Sequence, residues 1–485
     1  MPPRPFVPRL QHLRRPVAAL LSAQLMLSAC AAQAPGAALW PQPAELPVAG
    51  GTGPAQLPAF APLQVRPNFR APSAAHCARP PQMHEVPGQG GGQELASSKA
   101  LSRPRLAAAP APAAEAALVE RADAAPAGAR ASSGAEKEAP QRQRPPGPVT
   151  AGVVDDNADF AEYLAFRART QVAHRALDIR ERYLLQVRDG RGRAVADAEV
   201  LVRSPQGQAA WARTDRAGKV WLHPDAFDAQ GARVYEVTAR RGGLESRGYL
   251  QRGQKSALEL RLDGAVAPDR ARLDLVFLVD ATGSMGDEIG KLKASLRSIA
   301  DEVAGLPSQP DLCFALVAYR DQGDAFVLRS HDFTNDLGAF QRVLDRLQAD
   351  GGGDEPEAMN EALHATVHRL AWRGDGATRM VLLLADAPPH LDDGGPQYDQ
   401  DMQAALGKGI KVFSVGASGL NPQGEYIQRQ IAQYTGGRFV FLTYADAQRP
   451  ASGPGRETVH DVRNYSVDTL DRLIVRLVRE ELGAL

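Results

Sequence analysis

The chain has 485 residues, with 56 Lys plus Arg balanced by 56 Asp plus Glu for a formal net charge of zero. That length exceeds what one core organises and predicts two or three domains. The charge balance and the lack of any RNA- or DNA-binding motif argue against nucleic acid as a partner.

Residues 1–29 open with Arg4, Arg9, Arg14 and Arg15 and continue into an apolar stretch over residues 16–27. The stretch is too short to span a bilayer stably and has the layout of a secretory signal. It ends Leu27-Ser28-Ala29-Cys30, which resembles the lipobox of bacterial lipoproteins. That resemblance implies a mature chain beginning at a lipidated Cys30 and held on a membrane. Ala31 stands where Asp would follow the cysteine, similar to the outer-membrane sorting pattern of Gram-negative bacteria, so the expected location is the bacterial cell envelope. Processing there would remove four arginines and no acid, leaving a net charge of −4. An ordinary secretory signal that happens to end beside a cysteine is the rival reading.

Residues 30–150 are rich in Ala, Pro, Gly, Gln and Ser, show no sustained period, and read as a disordered tether. Cys77 in this tether and Cys313 in the apolar run 312–317 read as thiols rather than a disulfide framework. Cys313 is expected to be a small buried hydrophobe. In residues 151–182, Phe160, Tyr163, Leu164, Phe166, Val172 and Leu177 recur at roughly helical spacing behind Asp155, Asp156 and Asp159. This predicts an amphipathic helix joining tether to domain.

Residues 183–264 change to short alternating runs punctuated by turn residues, which predicts a small β-sandwich of about seven strands. The pattern from Val187 to Val200, followed by Thr214-Asp215 and Gly218, resembles carboxypeptidase-regulatory and bacterial Ig-like modules, which implies a spacer. Asp189, Asp197 and Asp215 are read as turn formers, with a calcium role as the rival reading.

From residue 270 to 483 strands alternate with helical stretches, predicting an α/β domain with a doubly wound, mostly parallel sheet. The apolar run Leu275-Val276-Phe277-Leu278-Val279 ends in Asp280-Ala281-Thr282-Gly283-Ser284 and precedes a helix over 289–304. Strands are expected near 312–319, 326–328 (a short edge), 380–385, 410–415 and 438–442, and helices near 337–347, 358–370, 426–434 and 466–482. Ligands collect beyond the carboxyl ends of such strands, and oxygens spaced two residues apart suit a hard divalent cation. The Asp-x-Thr-x-Ser run resembles the metal-ion-dependent adhesion site of von Willebrand factor A-type (vWA) domains.

That resemblance implies three converging loops. Asp280, Thr282 and Ser284 match the first, and Asp386, ending Leu382-Leu383-Leu384-Ala385, matches the third. The second departs: Gly353 stands where the family commonly has Thr, with Asp354 beside it as a direct or water-mediated ligand. Similar bacterial vWA proteins share Tyr-Arg-Asp, Gly-Gly-Gly-Asp-x-Pro-Glu and Asp-Ala-Pro-Pro-His. The expected cofactor is Mg²⁺ or Mn²⁺. Tyr319, Arg320, Asp321, His390 and Asp392 are expected to rim the metal face, where an unidentified partner protein would bind.

Enzyme signatures are weak. Thr282-Gly283-Ser284-Met285-Gly286 lacks the first glycine of a nucleophile elbow, the Gly351 loop lacks Gly-Lys-Ser/Thr, and no nucleophile and base pair is visible. His364 and His368 stand four apart on one helix face, a metal-ligand spacing, but with no acid in register they are read as surface or packing residues. The expected function is therefore metal-dependent protein interaction or adhesion. A metal-dependent hydrolase or phosphotransfer accessory, and an envelope component with a purely stabilising ion, remain the alternatives.

Overall fold

In the computed structural model of the chain the described residues are 60, 77–90, 148–265, 270–374, 376–391 and 394–483. Residues 1–29, read above as a signal, together with Cys30, most of the 30–150 segment and Asp392, lie outside them. The elements run β1 (Met83–Pro87), β2 (Thr150–Val154), α1 (Phe160–Arg169), β3 (Tyr183–Arg188), β4 (Glu199–Arg203), β5 (Ala209–Arg213), β6 (Lys219–Leu222), β7 (Val234–Arg241), β8 (Leu244–Gln251) and β9 (Leu258–Arg261). They continue with β10 (Arg272–Asp280), α2 (Gly286–Ala304), β11 (Asp311–Tyr319), β12 (Phe326–Thr334), α3 (Leu337–Asp345), α4 (Met359–His368) and β13 (Ala377–Ala385). The last are α5 (Tyr398–Lys408), β14 (Ile410–Gly416), α6 (Pro422–Thr435), β15 (Phe439–Thr443), β16 (Val467–Thr469) and α7 (Leu470–Leu482).

A nine-stranded sheet is ordered β1-β12-β11-β10-β13-β14-β15-β2-β16. Its five central strands are parallel, as their near-continuous apolar runs require. Alternate side chains leave on opposite faces. Leu275, Phe277 and Val279 pack under α2, α3 and α7, while Val276 and Leu278 pack under α1, α4, α5 and α6. The chain winds from β10 outward to β11 on one side and returns to β13 on the other, so the crevice where strand order reverses lies between β10 and β13. Val279 registers with Leu384, which makes Asp280 and Asp386 leave adjacent strands at the same edge.

The tether expectation fails at residues 77–90. β1 is the outermost strand, antiparallel to β12, and Cys77 is disulfide-bonded to Cys313, so these cysteines are not the free thiols expected. Four of the five β1 residues are exposed. An edge strand is held by backbone hydrogen bonds and needs no apolar alternation to announce it. β12 is consequently longer than the short edge expected at 326–328 and lies inside the sheet. The segment 151–182 is likewise more than a joint. β2 pairs with β15, and Tyr163 and Phe166 of α1 are buried in the same core as Tyr426 and Ile427 of α6. Helix α5 was not anticipated, because its apolar residues are sparse; it ends at left-handed Gly409, φ 65°.

Two smaller sheets, β6-β3-β9 and β5-β4-β7-β8, enclose Leu185, Val187, Val200, Val202, Tyr235, Val237 and Leu250. Asp189 and Asp215 are the turn formers expected: each Oδ1 accepts two backbone N–H groups at 2.9 Å. Asp197 also sits in a turn, with a left-handed φ of 54°, but its side chain does more. Its carboxylate accepts from Arg379 of β13 at 2.9 Å and Arg213 of β5 at 3.1 Å. Burial pushes this carboxyl up, but the two guanidinium groups more than offset it and hold it down to about 2. Arg379 lies near the start of β13, so this ion pair joins the two-sheet region to the sheet end opposite Asp280. Among the described residues no helix is long and apolar enough to cross a membrane.

Candidate metal centre

The site grows from the end of β10. Asp280 is fully buried, and its Oδ1 accepts the Thr282 N–H at 3.0 Å and the Thr282 hydroxyl at 2.7 Å. The Thr282 and Ser284 hydroxyl oxygens stand 3.0 Å apart. The loop then turns through residues 283–285 into α2. One carboxylate and two hydroxyls are thus tied into one unit, with Ser284 exposed at its outer end.

The second loop is fastened to the first by backbone. Gly283 N–H donates to Gly351 O at 2.8 Å, and Asp350 N–H donates to Ala281 O at 3.1 Å. Gly351 and Gly352 have φ of 74° and 67°, in the left-handed region. A Cβ on Gly351 would meet Asp324 Oδ1 at 2.3 Å, and one on Gly352 would stand 3.0 Å from Thr282 Cβ and 3.1 Å from Glu357 Oε1. Glycine is required because the loop passes between these side chains. Asp324 receives the Gly352 N–H at 2.9 Å and the Asp321 N–H at 3.0 Å.

Asp386 follows β13 into the same crevice, and its charge together with burial shapes its neighbours. Burial first, then the adjacent Asp386 carboxylate, raises Asp280 to about 7 despite the hydrogen bonds from Thr282. Asp280 Oδ2 is buried without a hydrogen bond of normal geometry, although the Tyr319 hydroxyl stands close enough to favour the ionised form. Glu357 is 3% exposed, and its Oε2 is buried with no hydrogen-bond partner. Burial, then Asp280, Asp321, Asp324 and Asp386, raise it to about 9. Carboxylates so crowded either hold protons or share a cation. Carboxylates with two adjoining hydroxyls are oxygen donors throughout, a set that fits a hard dication.

The structure therefore brings Asp280, Thr282, Ser284 and Asp386 together as the sequence suggests. Asp354 is exposed on the second loop, and Glu357, three residues on, is the carboxylate buried there. Glu357 was missed, although the Gly-Gly-Gly-Asp-x-Pro-Glu run contained it. Its position is fixed by its own N–H, which donates to Pro388 O at 3.0 Å.

The expected rim also changes. Tyr319 is fully buried beneath the site, and burial with the surrounding carboxylates pushes its hydroxyl well above the ordinary range. Arg320 is 7% exposed and engaged by Asp350 at 3.4 Å and Gln348 O at 3.3 Å, so it braces the second loop instead of facing outward. Asp321 and His390 are half-buried and paired, Oδ1 to Nε2, at 2.8 Å. They remain at the site's margin.

Residues 274–393 match the family model for the von Willebrand factor A domain, and the chain contains such a domain, a class that serves protein–protein interaction in general. Over 115 residues it is 39% identical to von Willebrand factor A domain-containing protein 7 of Mus musculus, covering 24% of this chain and 12% of that protein. The Homo sapiens protein of the same description is 38% identical over 115 residues, with the same coverage. Alpha-protein kinase vwkA of Dictyostelium discoideum is 31% identical over 119 residues, covering 24% of this chain and 19% of that protein. The chain thus spans about an eighth to a fifth of the length of these relatives.

Proposed function

We propose that the vWA domain binds Mg²⁺ or Mn²⁺ through Asp280, Thr282, Ser284 and Asp386 and uses this metal face to capture a partner protein. The observation that carries the reading is the buried meeting of Asp280, Asp386 and Glu357 at the strand-order reversal, carboxyl groups whose ionised forms a dication would neutralise. Ser284 is exposed at the outer end of the hydroxyl pair, which leaves a side of the ion open to a partner's oxygen. In this reading the protein is no enzyme; it is anchored to the bacterial outer membrane by lipid on Cys30. The Cys77–Cys313 disulfide supports export, because such bonds persist in oxidising compartments. Envelope extract passed over the immobilised protein with Mg²⁺ should yield a partner that chelator releases and Asp280→Ala does not capture. Capture unaffected by both treatments refutes the reading.

A second reading is favoured by Glu357. A third buried carboxylate neutralises the ion more completely and lessens its pull on an acidic ligand from outside. The ion then stabilises the three loops, and chelation lowers the melting temperature without releasing any partner.

A further inference from the structure

A second cluster of ligand-type side chains lies away from the oxygen-rich centre and shares no residue with it. His364 and His368 are one turn apart on α4, with ring centroids 4.5 Å apart. The sequence offered no acid in register with them; the unanticipated helix α5 brings one. Asp401 Oδ1 stands 3.0 Å from His364 Nδ1 and 3.0 Å from His368 Nε2.

The aspartate is buried and the imidazoles are not. Asp401's side chain is 3% exposed, whereas those of His364 and His368 are 40% and 36% exposed. Asp401 Oδ2 is buried with no hydrogen-bond partner. Lys408, the cation on the same helix, does not complete it: its Nζ donates to Val367 O at 2.7 Å. A buried carboxylate with one oxygen shared between two imidazoles and the other unsatisfied is poorly explained as a helix staple. Such a group is expected to be fully hydrogen-bonded or bound to a metal.

We propose that His364 Nδ1, His368 Nε2 and Asp401 form a transition-metal site, for Zn²⁺ before other imidazole-seeking dications. Zinc holds His nitrogen at about 2.0–2.1 Å and carboxylate oxygen at about 2.0–2.2 Å, which in a tetrahedron spaces ligand atoms about 3.3 Å apart. The observed 3.0 Å spacings need to open by a few tenths of an ångström, within the reach of half-exposed imidazole rings. A metal takes the lone pair of each ligating nitrogen, so any proton carried there would leave or move to the other ring nitrogen. The exposed side of both rings leaves the fourth position to water or to a ligand from another molecule, the open arrangement of a three-ligand zinc site. Two imidazoles select against Mg²⁺, so the two centres would be filled by different metals.

The test uses the full chain stripped with chelator and titrated with Zn²⁺ alone, with Mg²⁺ as control, by isothermal calorimetry. One Zn²⁺ per chain should bind, and Co²⁺ in its place should give the intense visible absorption of a four-coordinate site. His364→Ala and His368→Ala alter half-exposed helix positions and should leave the fold intact. Loss of either direct ligand should weaken Zn²⁺ by more than the ~10–100-fold typical of losing an outer partner, while Asp280→Asn should leave Zn²⁺ affinity unchanged. Folded wild-type protein that binds no stoichiometric Zn²⁺, or binding that survives both histidine substitutions, overturns the proposal.

Discussion

Replacing Asp280 with Asn separates the need for a cation from the need for a side chain. Asn keeps an Oδ1 that can accept both Thr282 hydrogen bonds, now 3.0 and 2.7 Å. It replaces the poorly satisfied Oδ2 with an N–H donor among carboxylates. A carboxyl raised from 3.8 to about 7 takes ~4 kcal/mol from the cation-free fold at pH 8, at about 1.4 kcal/mol per tenfold change in proton affinity. Asp386 carries part of the same repulsion, so we expect Asp280→Asn to recover about 2 kcal/mol. For a domain of this size that is a rise of roughly 4–8 °C in Tm. Differential scanning calorimetry in EDTA at pH 8 reads the gain, and repeating it in Mg²⁺ reads the loss. Wild type should gain Tm with Mg²⁺ as RT ln(1 + [L]/Kd), and the variant should not. A variant that melts below wild type in EDTA, or that keeps the full Mg²⁺ response, would show that the crowded charge is not what the ion relieves.

The pH dependence of the chelated protein should have the same origin: Asp280 at about 7 and Glu357 at about 9 keep protons in the folded state that the unfolded chain has lost by pH 5. Thermal stability in EDTA should therefore fall as pH rises from about 5 to 9, while the Tm rise produced by Mg²⁺ grows over that range; a flat or rising chelated profile opposes it. Cys77→Ser opens a disulfide linking residues 236 apart and should destabilise by about 2–5 kcal/mol, with dithiothreitol lowering the Tm of wild type but not of the variant. Asp197→Ala removes the carboxylate shared by Arg379 and Arg213 and should lower urea stability by ~3–5 kcal/mol. Adding Arg379→Met should recover part of that loss, and equal destabilisation in the double variant would locate the effect elsewhere.

What could be read from the sequence was what short-range pattern encodes. Leu275 to Val279 announced a two-faced buried strand, and Asp280, Thr282 and Ser284 lie within five residues, so strand end and ligand spacing were legible together. Asp386 was legible for the same reason, because it directly follows another such run. Glu357 was not. Whether it or Asp354 turns inward depends on how the loop is pinned by Gly283 to Gly351 and by Glu357 to Pro388, contacts between segments far apart in the chain. Tyr319 and Arg320 show the same limit from the other side: both stand at a strand end, yet one lies under the carboxylates and the other is turned back onto Gln348 and Asp350.

Long-range pairing also hid the edges of the domain. Cys77 sits in a stretch whose composition suits disorder, and no local period marks β1, because a strand paired on one side through its backbone has little apolar surface to bury. Its partner β12 carries the apolar residues, with Phe326, Leu328 and Phe333 buried. The disulfide fixes the stretch to β11, one strand further in. His364 and His368 were legible as a pair because a helix repeats within four residues. Their acid was not, since Asp401 lies on a helix with too few apolar residues to be recognised, and it reaches them only because α4 and α5 pack side by side on one face of the sheet. In each case the residue missed is one whose role is assigned by a neighbour in space. A metal site assembled across two helices is therefore harder to see in this sequence than one built within a single loop, even when its side chains lie closer together.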